Sequence, residues 1–333
     1  MKAQLSAGER RFTVVLALSL FFPMAAKGEA GQRELAPPSA AASGATISVN
    51  VDLVLLHATV RNGSGGFVSG LQRQDFRVHE DGHPQAIGLF QHEDVPVAVG
   101  LVVDNSGSMK RKRSDVAAAA LAFVQSSNSE DEMFVVNFNE RVTLGLPDMK
   151  LFSARPFELV GALMGVPASG KTALYDAIEA GFVHLQKASR NKKVLIVVSD
   201  GGDNASKHTL DEVLLDAGRS DAMIYTIGLF DEYDKDRNPG VLSRIARATG
   251  GEAFFPAEPS AVVSVCQGIA RDIRNQYTIG YSPANQNLDG GYRQIRVSVV
   301  GHHGGKLSVR TRDGYIASPD RNSPQASAHG DLR

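Results

Sequence analysis

The sequence has very little cysteine. Cys266 is the single cysteine among 333 residues, so the chain cannot close a disulfide within itself. It lies far from the N-terminus, which excludes a lipid anchor attached to a cysteine at a cleavage site. Val262, Val265 and Ile269 surround it at helical spacing. We therefore expect its thiol to be buried as a small apolar side chain rather than exposed as a reactive one.

A charge excess of either sign is also missing. Lysine and arginine number 35 and aspartate and glutamate 36, which gives a formal net charge of -1. Without a global field, the chain is not expected to recruit nucleic acid or an anionic membrane, and any electrostatic recognition must be local. The apolar fraction of 43% is ample for the core of one large domain and a smaller one.

Long hydrophobic runs are absent too. The apolar run "FTVVLALSLFF" at 12–22 falls short of the roughly 20 residues that cross a bilayer. Basic residues (Lys2, Arg10 and Arg11) precede it and small residues follow it, which is typical of a secretory signal peptide over 1–30. A retained anchor is the alternative. We expect an exported bacterial protein, periplasmic or extracellular, with no transmembrane segment in the mature chain, because export without disulfides suits those compartments.

Composition and periodicity divide the rest of the chain. A stretch rich in Pro, Ala, Ser and Gly predicts a flexible linker, and alternating apolar residues on either side of a central region predict antiparallel strands. Asp81-Gly82 is typical of a tight hairpin turn. The predicted segments are a linker at 31–45, N-terminal strands at 46–92, an α/β domain at 93–275, C-terminal strands at 276–317 and a disordered tail at 318–333.

The central region alternates apolar β-rich runs with segments of helical periodicity. The strand-like runs are "VPVAVGLVVD", "MFVVNF", "VLIVVSD" and "MIYTIGL". This alternation predicts an α/β fold with a mainly parallel sheet and helices on both faces. The short connection in "MFVVNFNERVTLGL" predicts one antiparallel edge strand, and a last helix is expected at about 259–275. The N- and C-terminal strands are expected to join in one small antiparallel β unit.

Polar residues stand where the predicted strands end, and ligands bind at the carboxyl ends of parallel strands. Asp104, Ser106 and Ser108 follow the first central strand, Thr172 opens a helix, and Asp200 ends "VLIVVSD". Carboxylates and hydroxyls are the hard oxygen ligands that Mg²⁺ prefers, with Mn²⁺ or Ca²⁺ as alternatives. With few carboxylates on it, such an ion stays electrophilic and can take an acidic residue of a partner as its last ligand.

These five residues resemble the metal-ion-dependent adhesion site of the von Willebrand factor type A (vWA) domain. The resemblance covers about residues 93–275, and the blocks "DFRVHEDGHPQ" and "QYTIGYSP" are similar to secreted bacterial vWA-related proteins of the acidobacterial type. It implies a Rossmann-like domain that binds protein ligands through a divalent cation without catalysis. By that analogy Ser106, Ser108 and Thr172 coordinate directly or nearly so, and Asp104 and Asp200 bind partly through water.

The segment "GVPASGKT" at 165–172 offers a different hypothesis, because its spacing matches the phosphate loop G-x-x-x-x-G-K-[ST]. The alternative function is therefore an ATP-binding protein that uses Gly165 to Thr172 with Asp200. Two features disfavour it. The preceding "RPFELVGALM" has helical periodicity where a phosphate loop needs a strand, and Pro167 removes a backbone donor. We expect no nucleotide. A structural module with a stabilising metal is a further alternative.

Residues around the predicted metal site are candidates for a ligand rim: Lys110, Arg111, Lys171 and Asp203. The basic run "KRKR" at 110–113 is interpreted as a solvated face, with the alternative that it steers an acidic partner. Catalysis by Ser106 or Ser108 is disfavoured, because neither lies in G-x-S-x-G and no histidine is placed by the sequence as a base.

Overall fold

The computed structural model describes residues 53–92, 94–230, 237–300 and 306–318. The predicted signal peptide, the predicted linker and all but the first residue of the predicted tail lie outside the described residues. Within the described ranges, no helix combines the length and the apolar character needed to cross a bilayer.

Fourteen strands and six α-helices make up the described part of the chain. The strands are β1 (Val54–Arg61), β2 (Phe76–Glu80), β3 (His83–Gln85), β4 (Ile87–Gln91), β5 (Val97–Asp104), β6 (Glu132–Phe138), β7 (Val142–Leu144), β8 (Lys192–Ser199), β9 (Met223–Gly228), β10 (Ala253–Phe254), β11 (Tyr277–Tyr281), β12 (Tyr292–Val299), β13 (Ser308–Arg310) and β14 (Gly314–Ile316). The helices are α1 (Arg113–Gln125), α2 (Pro156–Met164), α3 (Leu174–Leu185), α4 (Leu210–Arg219), α5 (Pro239–Ala248) and α6 (Val262–Arg274).

A six-stranded sheet in the order β10-β9-β8-β5-β6-β7 forms the centre of the α/β part. All neighbouring pairs are parallel except β6 and β7, which are antiparallel. The prediction of a mainly parallel sheet with one antiparallel edge strand is confirmed. Strand β10 was not expected, because a two-residue strand is too short to give an alternation pattern.

The central strands are covered on both faces, and every residue of β5 and of β9 is buried. The core between sheet and helices contains apolar side chains of β5, β6, β8 and β9 together with those of the helices. Packing at the middle of β5 is tight. A Cβ on Gly100 would lie 2.5 Å from the ring of Phe134 and 2.6 Å from a methyl of Leu195, so only glycine fits there.

The N- and C-terminal strands pair with one another in two four-stranded sheets, ordered β13-β1-β11-β4 and β14-β12-β2-β3. All pairings within both sheets are antiparallel. The two sheets contribute side chains to one shared apolar core, which includes Leu56, Phe76, Ile279 and Tyr315. The predicted antiparallel unit thus consists of two sheets rather than one.

The hairpin between β2 and β3 has the expected turn. Asp81 has a φ of 48° and Gly82 a φ of 82°, and Glu80 pairs with His83 across it. Positive φ at both central residues gives the twist that joins two antiparallel strands through a two-residue loop.

A buried carboxylate ties the last helix to both kinds of sheet. Asp272 of α6 is 1% exposed and accepts hydrogen bonds from Tyr225 Oη of β9 at 2.6 Å and from Thr59 Oγ1 of β1 at 3.0 Å. The guanidinium of Arg310 in β13 forms an ion pair with it. A buried charge that is paired and hydrogen-bonded in this way is costly to leave unmatched.

Asp272→Asn should therefore lower the free energy of unfolding by about 3 kcal/mol, because Arg310 loses its buried carboxylate partner while the side-chain shape is kept. Urea denaturation measures this. The control is Asp211→Asn, since the side chain of Asp211 is 91% exposed and should change stability by less than about 0.5 kcal/mol. Equal effects of the two substitutions would contradict the anchoring role of Asp272.

Glu179 on α3 is a buried acid without full hydrogen bonding. The residue is 7% exposed, and its Oε1 is buried without a hydrogen-bond partner among the described residues. Burial, followed by the negative charge of Asp216, raises the pKa of its carboxyl to about 8. The folded chain therefore holds this proton over a pH range in which an unfolded chain releases it.

Since the folded pKa lies above the ordinary value of 4.5, the contribution of Glu179 to stability is complete below pH 4.5 and declines as pH rises to about 8. Glu179→Gln should remove this decline and stabilise the protein above pH 8 by about 1 to 2 kcal/mol. Urea denaturation across pH tests it, with exposed Glu130→Gln as control. A variant that declines with pH as steeply as the wild type would refute the assignment.

Candidate metal centre

Two adjacent parallel strands bring the predicted carboxylates to one edge of the central sheet. Strand β5 ends with Asp104, and β8 ends directly before Asp200. The strands are in register to their ends, since Val103 pairs with Val198. Both carboxylates consequently lie at the carboxyl edge of the sheet, where ligands of open α/β sheets bind.

The loop after β5 and the end of β8 form one hydrogen-bonded cluster of oxygen atoms. Ser108 Oγ donates to Asp200 Oδ2 at 2.5 Å, and the hydroxyls of Ser106 and Ser108 are 3.0 Å apart. Asp104 accepts from the backbone N–H of Ser106 at 2.7 Å and from Ser199 Oγ at 2.7 Å. Four of the five predicted ligand residues are thus in one contiguous set.

Thr172 belongs to a second loop, which the backbone holds against the first. Ser169 N–H donates to Asn105 O at 2.8 Å, and Gly107 N–H donates to Gly170 O at 3.2 Å. Thr172 is 6% exposed, and its own N–H donates to Asn204 Oδ1 at 3.0 Å. Within the described part of the chain its hydroxyl makes no hydrogen bond, so this oxygen is available as a ligand.

The electrostatics of the cluster favour a cation. Asp104 is 1% exposed and Asp200 2% exposed. Burial, and next the charge of Asp200, raise the pKa of Asp104 to about 6, while hydrogen bonds from Ser106 and Ser199 act in the opposite direction. Two buried carboxylates at one site repel each other, and a divalent cation between them would offset that repulsion.

The donor set fits a hard cation such as Mg²⁺. It offers two carboxylates and three hydroxyls, and Mg²⁺ binds through oxygen while keeping some of its waters. Among the described residues no group of three or more His, Cys, Asp or Glu side chains is placed to hold a metal. The fit to a cation therefore depends on the hydroxyl oxygens of serine and threonine, which are not among these four residue types.

The four basic residues at 110–113 differ from one another in exposure. Lys110 and Arg111 are exposed, whereas Lys112 is 1% exposed and donates from Nζ to Leu229 O at 2.8 Å. Arg113 donates to Val166 O at 2.5 Å and hydrogen-bonds to Asn105 Oδ1. The interpretation of the whole run as a solvated face is wrong for its last two residues, because their charged ends reach backbone and amide oxygens inside the fold.

Arg113 and Asn105 are site-supporting residues that the sequence analysis missed. Arg113 connects the loop after β5, by its hydrogen bond to Asn105, with the loop at 165–172, by its hydrogen bond to Val166. Asn105 itself is 1% exposed and donates to Asn137 Oδ1 at 3.0 Å. The position of Asn105 inside D-x-S-x-S was a signal that it lies at the site; nothing in the sequence marked Arg113 apart from its neighbours.

The other two rim candidates differ from each other. Lys171 is exposed, as expected for a rim residue. Asp203 is half-buried, and its carboxylate accepts from the backbone N–H of Tyr175 at 3.1 Å and from Ser206 Oγ at 2.6 Å. These bonds engage the carboxylate of Asp203 in holding the start of α3.

The phosphate-loop interpretation of 165–172 conflicts with the structure. The segment follows α2 and precedes α3, whereas a phosphate loop joins a strand to a helix. The backbone N–H groups of Lys171 and Thr172 already donate to Glu140 Oε2 and Asn204 Oδ1, both at 3.0 Å. They are therefore occupied, and this loop is not built to surround a phosphate.

Comparison with known proteins identifies the fold. Residues 99–202 match the family model of the von Willebrand factor type A domain, and the central α/β unit has the vWA fold. Calcium-activated chloride channel regulator 3A-1 of Mus musculus is 26% identical over 162 residues, which are 47% of this chain and 17% of that protein. The chain therefore spans about a sixth of the length of this relative.

Two solved structures illustrate the structural likeness. An aerotolerance-related membrane protein of Bacteroides fragilis has 14% identity and a TM-score of 0.44, covering 53% of this chain and 98% of that one. Proximal thread matrix protein 1 of the mussel byssus was solved with a zinc-occupied metal-ion-dependent adhesion site (MIDAS) motif. It has 18% identity and a TM-score of 0.46, and the match covers 58% of this chain and 49% of that one.

Asp104→Asn should stabilise the chelated protein by about 1 kcal/mol, because it removes a buried charge beside Asp200. The same variant should lose the rise in melting temperature that Mg²⁺ gives the wild type. Thermal unfolding in chelator and in excess Mg²⁺ measures both effects, with exposed Asp148→Asn as the matched control. If the variant still responds to Mg²⁺ like the wild type, the assignment of Asp104 as a metal ligand is wrong.

Proposed function

We propose that this protein binds a protein partner through a divalent cation, Mg²⁺ in the first place and Mn²⁺ or Ca²⁺ as alternatives. The cation is held by Asp104, Ser106, Ser108, Thr172 and Asp200. A glutamate or aspartate carboxylate of the partner completes its coordination. The site serves recognition and adhesion, and binding is not coupled to a chemical reaction.

The observation that carries this proposal is the Ser108–Asp200 hydrogen bond of 2.5 Å within a cluster of oxygen ligands. In this cluster Ser106 and Ser108 contribute neutral hydroxyls, and the carboxylates of Asp104 and Asp200 contribute the charge. An ion bound here keeps much of its electrophilic character, because half or more of its protein ligands are uncharged. An acidic side chain of a partner is the ligand that such an ion attracts.

The surroundings of the site support an acidic partner. Lys110, Arg111 and Lys171 are exposed on the two loops that carry the ligands. Basic residues at the rim of a binding site accelerate the approach of acidic partners and contribute less to the final affinity. With Asp203 engaged in holding α3, the three remaining rim candidates are all basic.

Two arguments favour binding over hydrolysis. Ser106 and Ser108 are hydrogen-bonded to each other, and Ser108 also donates to Asp200, so within the described residues neither serine has a histidine as its base. A nucleophilic serine needs such a base to become reactive. The nucleotide alternative is disfavoured because the loop at 165–172 lacks the preceding strand and has its backbone donors occupied.

We also propose export to the periplasm or the exterior of a bacterium. This rests on the N-terminal pattern of basic, apolar and small residues and on the single cysteine. The similarity of "DFRVHEDGHPQ" and "QYTIGYSP" to secreted bacterial vWA-related proteins points in the same direction. A partner would then be found in the cell envelope or on a neighbouring surface.

Thr172→Val should abolish metal-dependent capture of an envelope protein, because it removes one ligand oxygen while keeping the side-chain volume. The purified protein is immobilised and exposed to an envelope extract of the producing bacterium, with Mg²⁺ or with chelator. Thr143→Val on β7 is the matched control. Capture by the wild type and the control in Mg²⁺ alone is the expected result.

The metal-binding part and the partner-binding part of the proposal can be refuted by separate measurements. Calorimetric titration with Mg²⁺ should show one site in the wild type and a Kd raised at least about tenfold in Thr172→Val. If Mg²⁺ binds but capture is the same in chelator, the ion is a structural stabiliser and the recognition role is wrong. If Mg²⁺ does not bind, the metal site itself is refuted.

A further inference from the structure

A second concave site lies at the other end of the central sheet. A cavity of about 320 Å³ is bounded by residues at the starts of β5 and β8 and by one face of the β1–β11–β4 sheet. Lys192 is the first residue of β8, and Asp200 of the metal cluster follows the last, so the length of the strand separates the two sites. The volume is at the lower end of the range typical of small-molecule sites.

The register of the three strands gives the sheet wall of the cavity two rows. Thr278 of β11 pairs with His57 of β1 on one side and with Gln91 of β4 on the other, which forms a polar row. Two residues along, Gly280 pairs with Leu55 and with Leu89. Because alternate residues share a face, both rows face the cavity, and all of their members except Gly280 line it.

Gly280 allows two leucines to pack closely over the apolar row. A Cβ at this position would lie 2.9 Å from Leu89 Cβ and 3.0 Å from a methyl of Leu53, closer than side-chain atoms pack. The missing side chain gives that space to Leu53 and Leu89, and Leu55 and Leu89 form the apolar lining of this wall beside the polar row. This wall can therefore contact an apolar group and a polar group of the same small molecule.

The polar end of the cavity contains buried groups with unused hydrogen-bonding capacity. His57 is 7% exposed, its Nδ1 lies 3.2 Å from Thr278 Oγ1, and its Nε2 is buried without a partner among the described residues. Lys192 is 5% exposed, and its ammonium donates to Ile273 O. An ammonium carries three donors, and within the described residues Ile273 O is the one acceptor the structure gives it.

The carboxylates nearest to Lys192 are already paired with arginines. Arg274 forms ion pairs with Asp94 at 2.8 Å and with Asp131, and Arg310 forms one with Asp272. Burial, and next the charge of Arg274, lower the pKa of Lys192 to about 7. A ligand carboxylate would supply the missing counter-charge, and burial and pairing of that charge would favour the ammonium form.

The residues that line the cavity carry positive charge without negative charge in the described part of the chain. Arg190 and Lys192 both line it; the guanidinium of Arg190 lies 3.9 Å from the carboxylate of Glu132, and the described lining itself includes no aspartate or glutamate. Val95 and Pro96, which are apolar, also line the cavity. An organic anion matches this distribution better than a cation or a neutral sugar does.

We propose that this cavity binds a small organic carboxylate, with the carboxylate on Lys192 and His57 and the apolar part against Leu55 and Leu89. In this assignment the hydroxyl of Thr278 donates to Nδ1 of His57, so that Nε2 carries the hydrogen and donates it to the ligand. This site is separate from the metal cluster, and its ligand does not depend on the divalent cation.

The test uses 3-phenylpropionate as the probe and its neutral amide, 3-phenylpropanamide, as the matched control ligand. Binding to the purified protein is followed by ¹H–¹⁵N NMR titration in chelator. The acid should shift the amide signals of Asn191, Thr278 and Gly280 and leave that of Ser106 unchanged. It should bind at least about tenfold more tightly than the amide, since one charge-assisted contact distinguishes the two ligands.

Two variants test the assigned contacts. Lys192→Met should weaken binding of the acid by about tenfold or more and bring it close to that of the amide. Because loss of Lys192 can also disturb the fold, Thr278→Val serves as an isosteric second variant that removes only the hydroxyl orienting His57. Exposed Lys187→Gln is the control and should bind like the wild type.

Each possible result either supports the proposal or overturns it. Selective binding of the acid, with shifts at the cavity and a loss in both variants, supports the proposal. Equal binding of acid and amide, no binding of either, or shifts centred on other residues overturns it. If inorganic phosphate binds as tightly as the organic acid, the apolar row plays no part and the proposed ligand class is wrong.

Discussion

The repulsion between two buried carboxylates is the constraint on which the functional end of this protein depends. Asp104 and Asp200 follow from the register of two parallel strands, and the fold cannot separate them without breaking that register. The hydroxyls of Ser106, Ser108 and Ser199 reduce the cost through hydrogen bonds to the two acids or to each other. They do not neutralise the charge. A divalent cation would do so directly, which is why we propose a metal here.

The two loops that bear the ligands are held by interactions that a ligand would not disturb. Arg113 bridges them through Asn105 and Val166, and the backbone bond from Gly107 to Gly170 closes the same gap. Lys112 fixes the start of α1 to Leu229. Such support would keep the proposed ligand oxygens close to their bound positions before an ion arrives, which would reduce the ordering that binding must impose.

The flanking sheets do more than enclose their own core. Asp272 and Arg310 connect α6 to β13, and the β1–β11–β4 face leaves a cavity against the amino ends of β5 and β8. Strand β8 thus has the proposed anion site at its start and the proposed metal site at its end. The two sites use opposite chemistry, since one supplies positive charge and the other negative charge.

Much of this arrangement could be predicted from the sequence, and the reason is local periodicity. The central strands and helices, the edge hairpin and the turn at Asp81-Gly82 each follow from residues close together in the chain. The spacing D-x-S-x-S placed Asp104, Ser106 and Ser108 on one loop for the same reason. Thr172 and Asp200 could be added because strand and helix ends meet at one edge of a parallel sheet.

The remainder depends on contacts between distant residues. Lys112 and Arg113 look like Lys110 and Arg111 in sequence, but their charged ends find Leu229 O and Val166 O, which periodicity does not reveal. Residues His57 and Thr278 are 221 positions apart, and the row they form exists only through strand register. The division of the predicted β unit into two sheets was hidden likewise, because alternation identifies strands without showing which of them pair.

The central claim is tested most directly by the anomalous scattering of Mn²⁺ bound to crystals of the protein. The account predicts one strong peak about 2.1 Å from the hydroxyl oxygens of Ser106 and Ser108, with Thr172 and the two aspartates in the surrounding shell. A crystal soaked in saturating Mn²⁺ that shows no peak at this site, or shows its peak elsewhere, would contradict the account.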